Sequence, residues 1–140
     1  METVIDTGAR RYRRDRTRGG LQGDPAGHRL IQVGDRQTAA TTVNQLGLIA
    51  LKRKDYLLAF DHYQKALEIF VERGDRYGIA GCHLWLGTTF EEQRDYDQAR
   101  HEYQRAINIY EELGARASAA AIRGHLDTMA IRARLDMIGE

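Results

Sequence analysis

The feature that most constrains this chain is an internal repeat of 40 residues. Residues 35–74 and 75–114 align without gaps and share 14 identical residues in 40 positions; unrelated segments would share about two or three. Half of these identities are glycine, alanine or tyrosine, so small and aromatic residues recur while surface residues vary. The repeat predicts two copies of one supersecondary unit, stacked so that each buries a face of the other.

Each repeat has the residue spacing of two helices. In the second halves, small and aromatic residues lie at i, i+3, i+7, i+10 and i+14: Tyr56, Ala59, Tyr63, Ala66 and Phe70, then Tyr96, Ala99, Tyr103, Ala106 and Tyr110. This spacing places each set on one helical stripe. The first halves, near residues 36–53 and 76–93, are also predicted to be helical. Gly47 and Gly87 lie at their middles, which indicates that a neighbouring backbone passes too close for a side chain.

Aspartates and glycines mark the predicted helix ends. Asp55 and Asp95 stand directly before the aromatic stripes, where an N-cap is expected. Gly74 and Gly114 follow the same helices and are predicted to end them as left-handed C-caps. Each repeat is therefore predicted to be a helical hairpin.

These residues resemble the tetratricopeptide repeat, which combines Leu-Gly in its first helix with Asp-Tyr, Ala, Tyr and Ala in its second. The 40-residue period is similar to the long repeats of kinesin light chains and of sensor arrays in bacterial signalling ATPases. The resemblance covers residues 35–74 and 75–114. It implies an all-α fold, a short α-solenoid of stacked antiparallel helix hairpins with about two and a half repeats.

The chain departs from the family pattern at several positions. Val43 and His83 stand where the family usually has a tryptophan, and its late proline is missing. In the third unit Asp127 follows Leu126 in place of glycine, and no Asp-Tyr-x-x-Ala pattern follows. We therefore expect one long closing helix over about residues 116–137.

The first 34 residues differ from the rest. Residues 1–34 hold seven arginines against four acids, a net charge of +3, whereas residues 35–140, the predicted repeat domain, have a net charge of −2. Asp24-Pro25 predicts a short helix over 25–33 with Gly34 as its C-cap. The arginines before it indicate either a solvated leader or an arm that contacts phosphates or an acidic partner.

The composition excludes several classes of function. Lys and Arg number 21 against 20 Asp and Glu, and the resulting net charge of +1 argues against a strongly basic nucleic-acid-binding domain. No apolar run reaches the roughly 18–20 residues of a membrane span, and no secretory signal follows Met1. A soluble, cytoplasmic protein is therefore expected. The single cysteine, Cys82, excludes an internal disulfide and a cysteine-rich metal site.

No pattern of catalytic or metal-binding residues is present in the sequence. His101-Glu102 begins like a zinc-protease HExxH motif, but Arg105 takes the place of the second histidine. The neighbouring acids Glu91 and Glu92 are expected on a solvated helix end. The sequence therefore predicts a protein that is not an enzyme and has no metal and no cofactor.

The predicted function depends on one row of side chains on the first helices. In the family that this chain resembles, the first helices line a concave groove, and i, i+4, i+7, i+11 spacing selects the row that faces away from the core. With two bordering residues, the row is Thr41, Asn44, Gln45, Leu48 and Lys52 in the first repeat, Gly81, Leu84, Trp85, Thr88 and Glu92 in the second, and Ala121, His125, Thr128 and Arg132 in the closing helix.

Trp85 fits a binding anchor best, because indole rings are enriched at binding hot spots; the other interpretation is a tryptophan that fills space between helices. Asn44, Lys52 and Arg132 form only part of the set with which family members clamp a peptide carboxylate, so no clamp is predicted. The leading hypothesis is a non-enzymatic module that binds a peptide or partner helix in the groove. The alternatives are a homodimer or larger assembly in which another copy fills the groove or an end face, and nucleic-acid contact through the arginine-rich arm.

Overall fold

Five α-helices account for nearly all of the described chain. The structure is a computed structural model that describes residues 25–139, with side chains from residue 36 onward. The helices are α1 (Pro25–Lys52), α2 (Tyr56–Arg73), α3 (Arg76–Glu92), α4 (Tyr96–Glu112) and α5 (Arg116–Gly139). Between residues 25 and 139 only short turns join them, so the predicted all-α fold is confirmed.

The beginning of α1 differs from the sequence prediction. A separate short helix was expected over 25–33, ending at Gly34, but these residues form the start of α1, which continues to Lys52. An internal glycine costs a helix about 1 kcal/mol relative to alanine, which does not suffice to end it. The arginine cluster predicted to form an arm lies in the first 24 residues, outside the described part of the chain.

The chain divides into two compact units, residues 1–38 and residues 39–140. Within the second unit, the end of α1 packs on α2, α3 packs against both α2 and α4, and α5 packs on α4. The hairpins α1–α2 and α3–α4 therefore stack in chain order with α5 as the closing helix. This is the predicted short solenoid.

Aspartate side chains cap the N-termini of α2, α3 and α4. The carboxylate oxygen of Asp55 accepts from the backbone N–H of the third residue on at 3.3 Å, and Asp95 does the same at 3.3 Å, so both predicted caps are confirmed. Asp75 forms a third such cap at 2.9 Å, which was not predicted. Gly74 and Gly114 adopt the left-handed φ of 69° and 77° that was expected at the ends of α2 and α4.

The mid-helix glycines make room for tyrosine rings. A Cβ built on Gly47 would lie 2.6 Å from Tyr63 Cε1, and one on Gly87 would lie 2.8 Å from Tyr103 Cδ1. The sequence correctly predicts a close approach at these positions, but the neighbour is an aromatic side chain of the second helix rather than a backbone. Both rings are almost completely buried, so each hairpin has one close glycine–tyrosine contact in its centre.

The remaining core consists of three clusters that follow the chain. One joins α1, α2 and α3 around the buried alanines and Phe70, and the next surrounds Tyr63. In the third, Ala119, Ile122 and Met129 of α5 pack against the α4 stripe around Tyr103. The closing helix thus buries only one of its faces on α4.

Candidate interaction surface

The residues predicted to line the groove, which we call the first-helix row, lie on α1, α3 and α5. Equivalent positions recur at intervals of 40, so that Gln45, Trp85 and His125 occupy the same place on successive helices. Eight members of the row are exposed: Thr41, Gln45, Lys52, Glu92, Ala121, His125, Thr128 and Arg132. Six are half-buried: Asn44, Leu48, Gly81, Leu84, Trp85 and Thr88. The row is therefore a mixed surface, partly exposed and partly supported from behind.

A buried carboxylate organises the part of the row that lies between α3 and α5. The side chain of Glu91 is only 7% exposed. Its Oε1 accepts hydrogen bonds from the Tyr103 hydroxyl at 2.7 Å and from His125 Nε2 at 2.6 Å, and its Oε2 accepts from Arg132 Nη1 at 2.9 Å. A carboxylate this deeply buried needs such donors, because an unpaired buried charge is strongly unfavourable. The expectation that Glu91 lies on a solvated helix end is therefore wrong.

The same network fixes the tyrosine and threonine behind it. Thr88 Oγ1 lies 3.1 Å from the Tyr103 hydroxyl and donates to the carbonyl oxygen of Leu84 at 3.1 Å. Burial raises the pKa of the Tyr103 hydroxyl well above its usual range, and the bond to the Glu91 carboxylate acts in the same direction. Tyr103 therefore keeps its proton and remains a donor to Glu91.

These contacts change the role expected for two members of the row. Arg132 is still about half exposed, but one of its guanidinium nitrogens already binds Glu91. The partly exposed imidazole of His125 is held by the same carboxylate. Both side chains are thus positioned by the protein rather than free to follow a ligand. A guanidinium has five N–H donors, so Arg132 retains donors that face solvent.

Trp85 combines the two interpretations that the sequence left open. Its ring lies parallel to that of Tyr63, with centroids 6.3 Å apart and an interplanar angle of 10°, and it packs against the cluster around Leu51 and Leu86. The side chain nevertheless remains half-exposed. The indole is therefore a rigid surface group whose inner face is part of the core.

The two repeats differ behind this row. Leu51 occupies in the first repeat the position that Glu91 holds in the second. The Tyr63 hydroxyl is buried and finds no hydrogen-bond partner among the described residues, and burial, with smaller contributions from Cys82 and Glu92, raises its pKa to about 12. The carbonyl oxygen of Asn44 is likewise buried without a partner in the described part.

Two further polar clusters lie outside the row. His83, at the family's usual tryptophan position, has its Nδ1 2.8 Å from Oε1 of Glu102, whose second oxygen accepts from Arg105 at 3.1 Å. At the N-terminal end of α4, a cleft of about 440 Å³ is lined by Tyr96, whose hydroxyl donates to Asp136 at 2.5 Å. In both clusters the charged groups are paired with one another, which indicates a structural role.

The sequence analysis did not predict that the buried Glu91 and Tyr103 support the surface from behind. One signal was available, because Glu91 stands in the alignment opposite the apolar Leu51. A charged residue at a buried position of a repeat indicates partners that only that repeat possesses. In the described residues no group of three or more His, Cys, Asp or Glu is arranged to hold a metal ion.

Comparison with known proteins gives the family. The family model described as "Tetratricopeptide repeat" matches residues 37–112, more than half of the chain. Comparison with curated proteins and with solved structures found no match. Among the described helices none has both the length and the apolarity needed to cross a membrane. The matched segment contains the two glycine–tyrosine hairpins described above, and the chain belongs to the tetratricopeptide repeat family.

Proposed function

We propose that this chain binds an extended peptide or a helix of a partner protein along the first-helix row, with Trp85 as the anchor. Tetratricopeptide repeats generally mediate protein–protein interactions, and the family is a non-catalytic scaffold. The observation that carries the proposal is the partly exposed indole that lies parallel to the ring of Tyr63. A rigid aromatic side chain loses little conformational entropy on binding, which is why such residues dominate binding hot spots.

The charges of the row define the kind of partner. Lys52, Glu92 and Arg132 occupy equivalent positions on successive first helices, so the charge alternates from positive to negative to positive along the row. All three side chains are exposed. We expect a ligand with an apolar or aromatic group that contacts Trp85. Its charges should be opposite to those of the row: acidic at both ends, facing Lys52 and Arg132, and basic in the middle, facing Glu92.

The cytoplasmic location expected from the sequence remains a prediction. Nucleic-acid contact also remains untested, because the arginines on which it depends lie outside the described residues.

Selection from a displayed library of random 12-residue peptides, followed by titration of synthetic peptides, tests the proposal. Trp85 is the single tryptophan of the chain, so its fluorescence reports directly on occupation of the row. We expect bound peptide to shift the emission of Trp85 and to protect it from acrylamide quenching. Trp85→Ala removes this reporter, so its binding is measured by isothermal titration calorimetry beside the wild type; it should weaken binding by about 2 kcal/mol or more, as is typical of hot-spot residues.

Because Trp85 packs on Tyr63, its replacement can also disturb the core. A second variant that leaves the core intact is therefore needed. Lys52→Glu changes only an exposed charge, and it should weaken an acidic-ended peptide while circular dichroism stays unchanged. Leu57→Ala, at an 80% exposed position of α2, is the matched control and should have no effect. Peptides that bind Lys52→Glu and Trp85→Ala as tightly as they bind the wild type would refute the proposal. A selection that yields no binding peptide would refute it as well.

A further inference from the structure

α5 presents a face that packs on no other helix of the unit formed by residues 39–139. Its buried side meets α4, and its first-helix row reaches Glu91 of α3. On the remaining side, residues at i, i+4, i+7, i+11, i+14 and i+18 are all exposed: Ala120, Gly124, Asp127, Ile131, Arg134 and Ile138. We call these residues the open face. The alternating spacing of four and three is that of a coiled-coil seam.

The apolar members of the open face are strongly exposed. Ile131 is 61% exposed and Ile138 is 80% exposed, and Leu135 beside them is also 61% exposed. Three large aliphatic side chains within two turns of one helix form a contiguous patch of the kind that marks interaction sites.

Gly124 provides an observation that the single chain does not explain. A Cβ on Gly47, Gly78 or Gly87 would collide with an aromatic ring, but a Cβ on Gly124, as on Gly81 of the first-helix row, would meet nothing within 4 Å. Glycine in a helix interior is unfavourable relative to alanine, and no contact inside the described unit requires it here. Close approach of another helix would require it.

The charges on the open face of one copy are complementary to those on the open face of a second copy. Asp127 and Arg134 are both exposed, and neither forms an ion pair with any residue that the structure describes, whereas the neighbouring Arg123 is already paired with Glu111. In an antiparallel pair of α5 helices centred near Ile131, Asp127 of each copy lies within one turn of Arg134 of the other. The same arrangement places each Ile138 opposite Gly124 of the other copy.

We propose that the open face of α5 binds the open face of a second copy of this chain, in an antiparallel and two-fold symmetric helix pair. The contact is isologous, so it closes as a dimer and does not propagate into a fibre. Two Asp127–Arg134 ion pairs then flank an apolar centre formed by Ile131, and Gly124 admits the Ile138 side chain of the other copy.

This interface is independent of the peptide-binding proposal. Thr128 of the first-helix row follows Asp127 directly and therefore points about 100° away around the helix. Dimerisation through the open face leaves the row accessible, and failure of one proposal does not affect the other.

Sedimentation equilibrium at chain concentrations from about 1 µM to about 1 mM tests the interface. Wild type should change from a species of 15.9 kDa to one of twice that mass as the concentration rises. Asp127→Arg should weaken the dimer by about tenfold or more, because it places four arginines together, and Arg134→Asp should do the same with acids. The double variant Asp127→Arg/Arg134→Asp should restore the wild-type affinity.

Gly124→Ala separates the interface from the stability of the monomer. Alanine favours the helix, so the melting temperature of the monomer should rise while the dimer weakens. Leu57→Arg, at an exposed position of α2 far from the open face in sequence, is the control and should not change the mass. A monomer at every concentration would overturn the proposal, and so would a dimer that tolerates both single charge reversals.

Discussion

Removal of the tyrosine hydroxyl group should affect the free energy of unfolding differently at the equivalent positions 103 and 63. Tyr103→Phe deletes a donor that binds the Glu91 carboxylate at 2.7 Å and contacts Thr88 at 3.1 Å. A buried hydrogen bond to a charged group contributes about 1.5–3 kcal/mol, and a neutral one about 0.5–1.5 kcal/mol. We therefore expect Tyr103→Phe to reduce the free energy of unfolding by about 2–4 kcal/mol.

Tyr63→Phe makes the same chemical change in the first repeat, where the buried hydroxyl has no partner among the described residues. A buried polar group without a hydrogen bond is unfavourable by about 1–3 kcal/mol, so its deletion should leave the stability unchanged or increase it by about 1 kcal/mol. The two variants should differ by about 3 kcal/mol, which corresponds to a difference in Tm of about 6–12 °C for a chain of this size.

Urea unfolding followed by circular dichroism measures both values, and equal m-values show that the same surface is exposed in each variant. Tyr103→Phe in a Glu91→Leu background, which copies the first repeat, should lose most of its effect. Equal destabilisation by Tyr63→Phe and Tyr103→Phe would show that the difference between Leu51 and Glu91 does not determine the role of the hydroxyl.

Three smaller predictions concern packing, capping and the thiol. Gly87→Ala should destabilise the fold by about 1–3 kcal/mol, because its Cβ would lie 2.8 Å from the Tyr103 ring, whereas Gly81→Ala, with nothing within 4 Å, should stabilise it by about 1 kcal/mol in the same thermal melts. Asp75→Ala removes the cap of α3 and should cost about 1 kcal/mol; an unchanged Tm would contradict this. Burial raises the pKa of the Cys82 thiol from 9.0 to about 12. The protonated thiol therefore contributes its full stabilisation below about pH 9, and this contribution is lost as the pH rises to about 12. Cys82→Ala should make the loss of folding stability over this pH range smaller.

The sequence predicted the features that depend on spacing within one repeat. Asp55 and Asp95 cap helices through a backbone N–H three residues away, and such local contacts are visible in a single stretch of sequence. The recurring Gly47 and Gly87 revealed a close approach in the same way. The identity of the neighbour, a tyrosine ring, depends on how two helices face each other and was not available from spacing alone.

The candidate surface was less predictable because its key contacts join residues far apart in the chain. Glu91 is held by Tyr103, His125 and Arg132, which lie 12, 34 and 41 residues further on. Nothing in its immediate neighbours distinguishes it from the exposed Glu92. The sequence selected His125 and Arg132 as surface residues but did not reveal the carboxylate that orients them.

The position of Glu91 has a consequence for how the array opens. Repeat proteins lose their hairpins one at a time unless contacts between repeats couple them. Glu91 joins α3, α4 and α5, whereas Leu51 offers the first hairpin no such bond. In hydrogen exchange, the amides of α3, α4 and α5 should open together, and those of residues 39–73 should open earlier as a separate unit. The first hairpin is then the more easily deformed part of the array, and the second hairpin with α5 is the more rigid part.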